Sequence, residues 1–266
     1  MKKYYDRANH RLVFISQAAD SSFWDNHWQT PDLEQAIKQK SESNYYTRVT
    51  KRFLTPTRSI KVLDGGCGRG EVVYALRQAG YDAYGIDYAV GTVKEINRLM
   101  PDLKIAYGHV DQLNFPDNYF NGYWSLGVIE HAWDGYQAII KEASRVLKPN
   151  GYLFITYPYL SALRQIKTAL HVYPHFQQNQ KPKNFYQFVL PQKTVSRDLQ
   201  QAGFKARYQR PLDGFKGLKD EVTLLQPLFS RINSSPTRVA HYLRVIIGEL
   251  AAPFCGHVIL QVWQKS

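Results

Sequence analysis

Hydrophobic and polar positions alternate with two different periods in the middle third of this chain. Ile60–Asp64 is a short β-rich run that ends in a glycine cluster. Val72, Val73, Leu76 and Ala79 then fall at helical spacing, and Gly80 stops them. Asp82–Ile86 predicts a second strand ending at Asp87, and Val90–Met100 a second helix closed by Pro101. Leu103–Tyr107 and Phe120–Leu126 predict the third and fourth strands. Tyr136, Ile139, Ile140, Ala143, Val146 and Leu147 share one helical stripe. Lys148–Gly151 reads as a helix stop and turn, and Tyr152–Tyr157 as a fifth strand. Strands and helices joined by short connections predict an α/β fold with a doubly wound, mostly parallel sheet. Ligands of such sheets sit at the carboxyl ends of the strands, which directs attention to Asp64–Gly70, Asp87, Asp111 and Leu126–His131.

The pattern is weaker on either side. Residues 1–57 read as a helical or lid segment, 58–158 as the ligand-binding core, and 159–266 as insertions with closing strands of the same domain. Thr194–Ala202 predicts a helix, Phe204–Gln209 a sixth strand and His257–Trp263 a final one. Residues 213–234 read as loop-rich. Val239, Tyr242, Leu243, Ile246, Ile247 and Leu250 mark an amphipathic helix flanked by Arg231, Arg238 and Arg244. Packing on the sheet or docking on a membrane surface both fit it. Residues 158–191 combine Arg164, Lys167, Lys181 and Lys183 with many aromatics and no acid. They predict either a lid over the site or a cap with its own small core, with Gln177–Asn184 as a mobile tip.

Composition narrows the class. Two cysteines in 266 residues exclude a disulfide scaffold and a cysteine-rich metal site. No apolar run approaches the ~20 residues of a membrane span, and the polar start does not read as a secretory leader. A cytoplasmic protein, with peripheral membrane contact as an option, is the expectation. The net charge of +12 is uneven. Residues 61–158 carry nine basic and eleven acidic side chains, whereas residues 159–266 carry fifteen and five. The excess therefore belongs to the part expected to meet a partner, which leaves an anionic small molecule, a membrane surface or nucleic acid open.

The loop after the first strand reads Asp64-Gly65-Gly66-Cys67-Gly68-Arg69-Gly70. It lacks the last glycine of a dinucleotide fingerprint and the Gly-Lys-Ser/Thr ending of a P-loop. Asp87 lies 23 residues beyond Asp64, at a strand end where a carboxylate can accept from ribose hydroxyls. Here the chain resembles the class I S-adenosylmethionine-dependent methyltransferases, and within them the broad small-molecule group that includes quinone-biosynthesis enzymes. Val62–Gly70, Gly85–Tyr88, His109–Phe120, Ser125–His131 and Glu142–Leu153 look like that family's motifs, in order. Phe23–Trp28 also resembles N-terminal segments of such enzymes. The resemblance implies a Rossmann-like methyltransferase fold with seven strands, a helical cap or lid, a last strand closing the sheet antiparallel, and S-adenosylmethionine as cofactor. Asp64, Gly65, Gly66, Cys67, Gly68 and Gly70 would hold its methionine end. Asp87 and Tyr88 would meet the ribose, Asp111 and Gln112 the adenine, and Leu126 would lie beside the methyl donor.

His131, Tyr157 and Tyr186 are the candidates for the acceptor side. His131 reads either as a base with a naturally near-neutral pKa or as part of a helix start. Some quinone-pathway O-methyltransferases hold a metal with Glu-x-x-Glu-His at this point; Gly127 stands where the first Glu would be, so no metal is expected. The Asn/Asp-Pro-Pro-aromatic run of base-methylating enzymes is absent after strand four. The expected activity is methyl transfer to oxygen or nitrogen of a small or lipid-linked, anionic acceptor. An RNA or protein methyltransferase, or a catalytically idle cofactor-binding module, are the alternatives.

Overall fold

Leu12, Val13 and Phe14 are all buried, so the first hydrophobic run folds as a strand covered on both faces. In this computed structural model, which describes residues 1–41, 44–177 and 180–266, β1 (Lys2–Asp6) and β2 (Arg11–Ile15) form an antiparallel hairpin. The N-terminal segment thus opens with a hairpin rather than a helix. Three helices follow, α1 (Ser21–Trp28), α2 (Leu33–Ser41) and α3 (Tyr45–Lys51).

The alternating core comes next. It comprises β3 (Lys61–Gly65), α4 (Glu71–Gln78), β4 (Asp82–Asp87), α5 (Val90–Leu99), β5 (Ile105–Tyr107), β6 (Phe120–Leu126), α6 (Gln137–Val146) and β7 (Leu147–Pro158). The helix before β7 stops at Val146, but the expected turn is a kink inside the strand: Asn150 sits there at φ 64° and the pairing with β6 slips. The remaining elements are α7 (Ala162–Ala169), β8 (Phe185–Val189), α8 (Gln192–Gln201), β9 (Phe204–Leu212), α9 (Gly214–Glu221), α10 (Gln226–Ser234), α11 (Arg238–Cys255) and β10 (Val258–Lys265). Residues 213–234, expected as loop, are therefore mainly helical.

The main sheet has seven strands in the order β5-β4-β3-β6-β7-β10-β9. Neighbours from β5 to β7 are parallel, and β10 runs antiparallel to both β7 and β9. This is the Rossmann-like methyltransferase fold. The strand order reverses between β3 and β6, which opens a crevice at their carboxyl ends. Two buried clusters fill the faces of the sheet, one around Leu63, Tyr123 and Ile155, the other around Val62, Trp124 and Phe154.

A second, three-stranded sheet, β1-β2-β8, joins the hairpin to the insertion after β7. Leu12, Phe14, Leu160, Tyr173 and Val189 form its core. The aromatics of 158–191 mostly serve this packing, with Tyr159, Tyr173, Phe185 and Phe188 all buried. Of the expected mobile tip, Gln178 and Asn179 lie outside the described residues.

One ionic cluster ties these parts together. Glu221 of α9 accepts from Lys3 (2.9 Å), Arg164 (3.1 Å), Lys167 (2.8 Å) and the Tyr173 hydroxyl (2.6 Å). Burial by itself would raise its carboxyl, but Arg164 and Lys3, with the bonds from Lys167 and Tyr173, hold it down at about 2. Arg164 is fully buried, and also donates to the backbone oxygens of Tyr159 and His257. Two of the cations that make the C-terminal part basic, Arg164 and Lys167, are thus engaged in a structural contact around a single carboxylate.

Candidate active site

The glycine loop turns where β3 ends. Gly66, Gly68 and Gly70 all lie at positive φ (79°, 50° and 76°), a region that disfavours side chains. The space is closed as well: a Cβ on Gly66 would come within 2.6 Å of Val128, and one on Gly68 within 2.8 Å of the Trp28 ring. Asp87, at the end of β4, fixes this loop. One carboxylate oxygen accepts from the Gly68 N–H (2.7 Å) and the other from Ala89 N–H (2.9 Å). Each oxygen keeps a second lone pair for a ligand hydroxyl. Burial raises the Asp87 carboxyl, and these backbone donors counter it.

A cavity of about 360 Å³ opens beside this loop and falls in the size range of small-molecule sites. Gly66, Asp87, Tyr88, Asp111, Leu126 and His131 all line it. Asp64, Gly65, Cys67, Gly68, Gly70 and Gln112 do not: the first five stand in or under the loop, and Gln112 is exposed beside Asp111. Cys67 is a buried packing residue whose thiol burial pushes up. The sequence reading did not pick out Trp24 and Trp28, which form the outer wall. Their helix α1 is held by Asp25, which accepts from the Gly91 and Thr92 N–H groups (3.2 and 2.8 Å). Since Ala89, the α5 N-cap, has no side-chain bond to give, Asp25 caps α5 from across the chain. The aromatic run Phe23–Trp28 was the available signal.

Four buried polar groups near the strand ends, none of them lining the cavity, are incompletely paired. Asp64 Oδ1, Tyr123 OH, Ser125 Oγ and Glu130 Oε2 are buried with no hydrogen-bond partner. Asp64 is 2% exposed and Glu130 3%. Burial, aided by the Asp87 charge, pushes the Asp64 carboxyl to about 8, and burial alone pushes Glu130 to about 8. A native carboxyl raised above its unfolded value gives up stability as pH rises from near 4 to 8. Asp64→Asn is therefore expected to raise the stability of the ligand-free protein at neutral pH by roughly 1–3 kcal/mol. Denaturant titration of both proteins checks this, and a less stable variant would contradict it.

His131 lies in a 3₁₀ turn after β6 and its Nδ1 donates to the Tyr186 carbonyl (2.7 Å). That bond fixes the tautomer and leaves Nε2 as an acceptor. Burial lowers the ring to about 4, against the pull of the Tyr186 bond. Trp24 and Tyr186 pack edge-on against it. Tyr157 is a correction: it is fully buried in the sheet, where its hydroxyl donates to Gln261 (3.1 Å), and it does not reach the cavity. Its position at the end of a strand pointed to the mouth, but its side chain takes the interior face. Among the described residues, no three His, Cys, Asp or Glu side chains gather in a metal-binding group.

Residues 63–155 match the family model described as a methyltransferase domain. That segment is similar to a methyltransferase domain. Around it the whole structure has the class I methyltransferase architecture. An S-adenosylmethionine-dependent methyltransferase from Mesorhizobium loti superposes with a TM-score of 0.57 at 14% identity, covering 85% of this chain and all of that one. A Haemonchus contortus phosphoethanolamine N-methyltransferase, solved with phosphomonomethylethanolamine and S-adenosylhomocysteine, gives 0.53 at 16%, covering 93% of this chain and 60% of that one. By sequence, demethylmenaquinone methyltransferase of Geobacillus stearothermophilus is 34% identical over 126 residues, 43% of this chain and 53% of that protein. The 27-O-demethylrifamycin SV methyltransferase of Amycolatopsis mediterranei is 30% identical over 141 residues, 49% and 47% of the two chains. The chain spans about half the length of the curated relatives it matches. The matched segment holds the glycine loop, Asp87, Asp111 and His131, whereas Trp24 and Trp28 come from outside it; Tyr186 does not line this cavity and meets it only through His131.

Proposed function

We propose that this chain moves a methyl group from S-adenosylmethionine to an oxygen or nitrogen of a small or lipid-linked acceptor. One observation carries the reading: Gly66, Asp87, Asp111 and His131 all line the same cavity. The residues fit the cofactor. Asp64 is a buried carboxylate with an unpartnered oxygen, suited to an ammonium group; Asp87 has lone pairs for two hydroxyls; Asp111 stands exposed at the rim for an exocyclic amine. When bound, S-adenosylmethionine supplies a methyl carbon activated by its sulfonium. The rest of the acceleration is positioning and exclusion of water, which α1 and its tryptophans provide. The relatives' names, a demethylmenaquinone and a demethylrifamycin methyltransferase, support a small organic acceptor.

With its ring held near 4, His131 is a weak base at neutral pH. Its role is to accept a hydrogen bond from the acceptor's O–H or N–H and aim the lone pair at the methyl carbon. The test is transfer of labelled methyl from the cofactor into fractionated cell extract. Label in the lipid or small-metabolite fraction supports the proposal; label in RNA or protein, or none at all, overturns it. With the acceptor identified, His131→Ala is expected to lower kcat/KM about 10–100-fold with cofactor affinity unchanged. Wild-type activity should be insensitive to His131 titration between pH 6 and 8 and should fall only as pH drops through about 4. Near-normal turnover of the variant would remove His131 from the reaction.

A further inference from the structure

Helix α11 is built inside out. Val239, Tyr242, Leu243, Ile246, Leu250 and Phe254 fall within about 120° of one another around the helix axis at 100° per residue, and every one of them is exposed. Leu250 is 79% exposed and Val239 69%. The opposite face, which carries Ala240, Gly248, Ala251, Ala252 and Cys255, packs inward. It packs closely because α9 meets it with glycines. A Cβ on Gly214 would come within 2.3 Å of the Gly248 oxygen, and one on Gly217 within 1.7 Å of the Cys255 oxygen. The sequence pattern allowed this stripe to cover the sheet; instead, the small residues face the protein and the large apolar ones face out.

The surface extends beyond one helix. Among the described residues, fifteen large apolar side chains are exposed, and twelve of them lie between Ile166 and Phe254. Ile166, Leu170 and Val172 come from α7 and the turn after it, and Leu224 and Leu228 from the start of α10 and the turn before it. Both α7 and α10 pack against α11. Contiguous apolar surface of this kind marks an interaction site. Its charge leans positive: from Val222 to Gly248 there are three arginines and no acidic residue, and the acid that follows on α11, Glu249, is paired with Arg210 of β9. Arg231 and Arg238 are exposed, whereas Arg244 is taken up by the carbonyls of Ile232, Asn233 and Ser235.

We infer that α7, α10 and α11 form a docking face for the surface of an anionic phospholipid bilayer. The large side chains of α11 would enter the boundary between headgroups and acyl chains while Arg231 and Arg238 meet lipid phosphates. The helix would lie on the membrane, since no described helix is long and apolar enough to cross one. Two features favour lipid over a second copy of the chain or a nucleic acid. A symmetric contact between two copies would bring the exposed Arg231 and Arg238 of each face together, and Glu249, the acid of α11, is already paired with Arg210. A nucleic-acid surface would need stacking aromatics, and this face is mostly aliphatic. The inference does not rest on the proposed reaction, because it concerns residues outside the cavity.

Vesicle flotation tests it, with the full chain and phosphatidylcholine vesicles either pure or containing about 30% phosphatidylglycerol. The expected result is binding to the anionic vesicles at least about tenfold tighter than to the neutral ones, weakening with salt. The double variant Ile246→Glu and Leu250→Glu should lose at least about tenfold of that binding, with the circular dichroism melt and cofactor titration unchanged. Arg231→Gln with Arg238→Gln should remove most of the anionic preference. Absence of vesicle binding would overturn the inference, as would a dimer abolished by the glutamate variant or RNA binding on this face. Vesicle binding by a chain that transfers no methyl group would leave it standing and count only against the proposed reaction.

Discussion

Asp87→Ala is expected to abolish measurable binding of S-adenosylmethionine, with a loss of at least about a hundredfold. Hydrogen bonds to a charged group contribute ~1.5–3 kcal/mol each, and Asp87 has a free lone pair on each oxygen for two ribose hydroxyls. It also orders the loop. Without its carboxylate, the Gly68 and Ala89 N–H groups lose their acceptors, and the loop is no longer held against the strand end. Isothermal titration of both proteins measures the effect. Asp87→Asn, which keeps one acceptor oxygen, should fall between them. Unchanged affinity in an alanine variant that melts cooperatively would refute the cofactor site as placed here.

The largest stability effect is expected at Glu221. Replacing it with alanine leaves Lys3, Arg164 and Lys167 around an empty position, and Arg164 has no route to water. Breaking a buried pair by removing one partner costs ~3–5 kcal/mol. For a chain of this size that corresponds to a fall in Tm of roughly 10 °C, accompanied by loosening of the β1-β2-β8 sheet. The pH dependence has a definite sign. The native carboxyl, near 2, lies below its unfolded value of 4.5. Its contribution is therefore complete above about 4.5 and disappears as pH falls through about 2. Glu221→Gln should be less stable than wild type at pH 7, and the two should converge in that acidic window. Urea titrations at pH 7, 4 and 2.5 distinguish this from a packing effect, which would persist at every pH.

The chemistry of the site was readable from the sequence wherever it depends on strand ends, and obscure wherever it depends on distant segments. Asp64, Asp87 and Asp111 each close a strand or follow one directly, so local periodicity placed them. Trp24 and Trp28 reach the cavity through a tertiary clamp at Asp25 that no local pattern announces. Tyr157 is the reverse case, a residue at the right end of a strand whose side chain takes the interior face. Gly214 and Gly217 misled for a related reason. Glycines in a polar stretch read as loop, yet these two sit in a helix and permit the close approach of α11. Glu130 is a further case, since only the structure shows it buried with an unpartnered oxygen.

The clamp at Asp25 also bears on what counts as the functional unit. Residues 63–155 carry the carboxylates and the glycine loop, but the outer wall of the cavity is borrowed from residues 19–28. That borrowed wall is fastened to the first turn of α5, only a few residues beyond Asp87. The Asp87 carboxylate and the wall thus share one anchor, and by reciprocity whatever steadies one steadies the other. A protein trimmed to the matched segment would keep the carboxylates and lose the means of shutting water out. The smallest unit that closes this cavity begins well before the matched segment does.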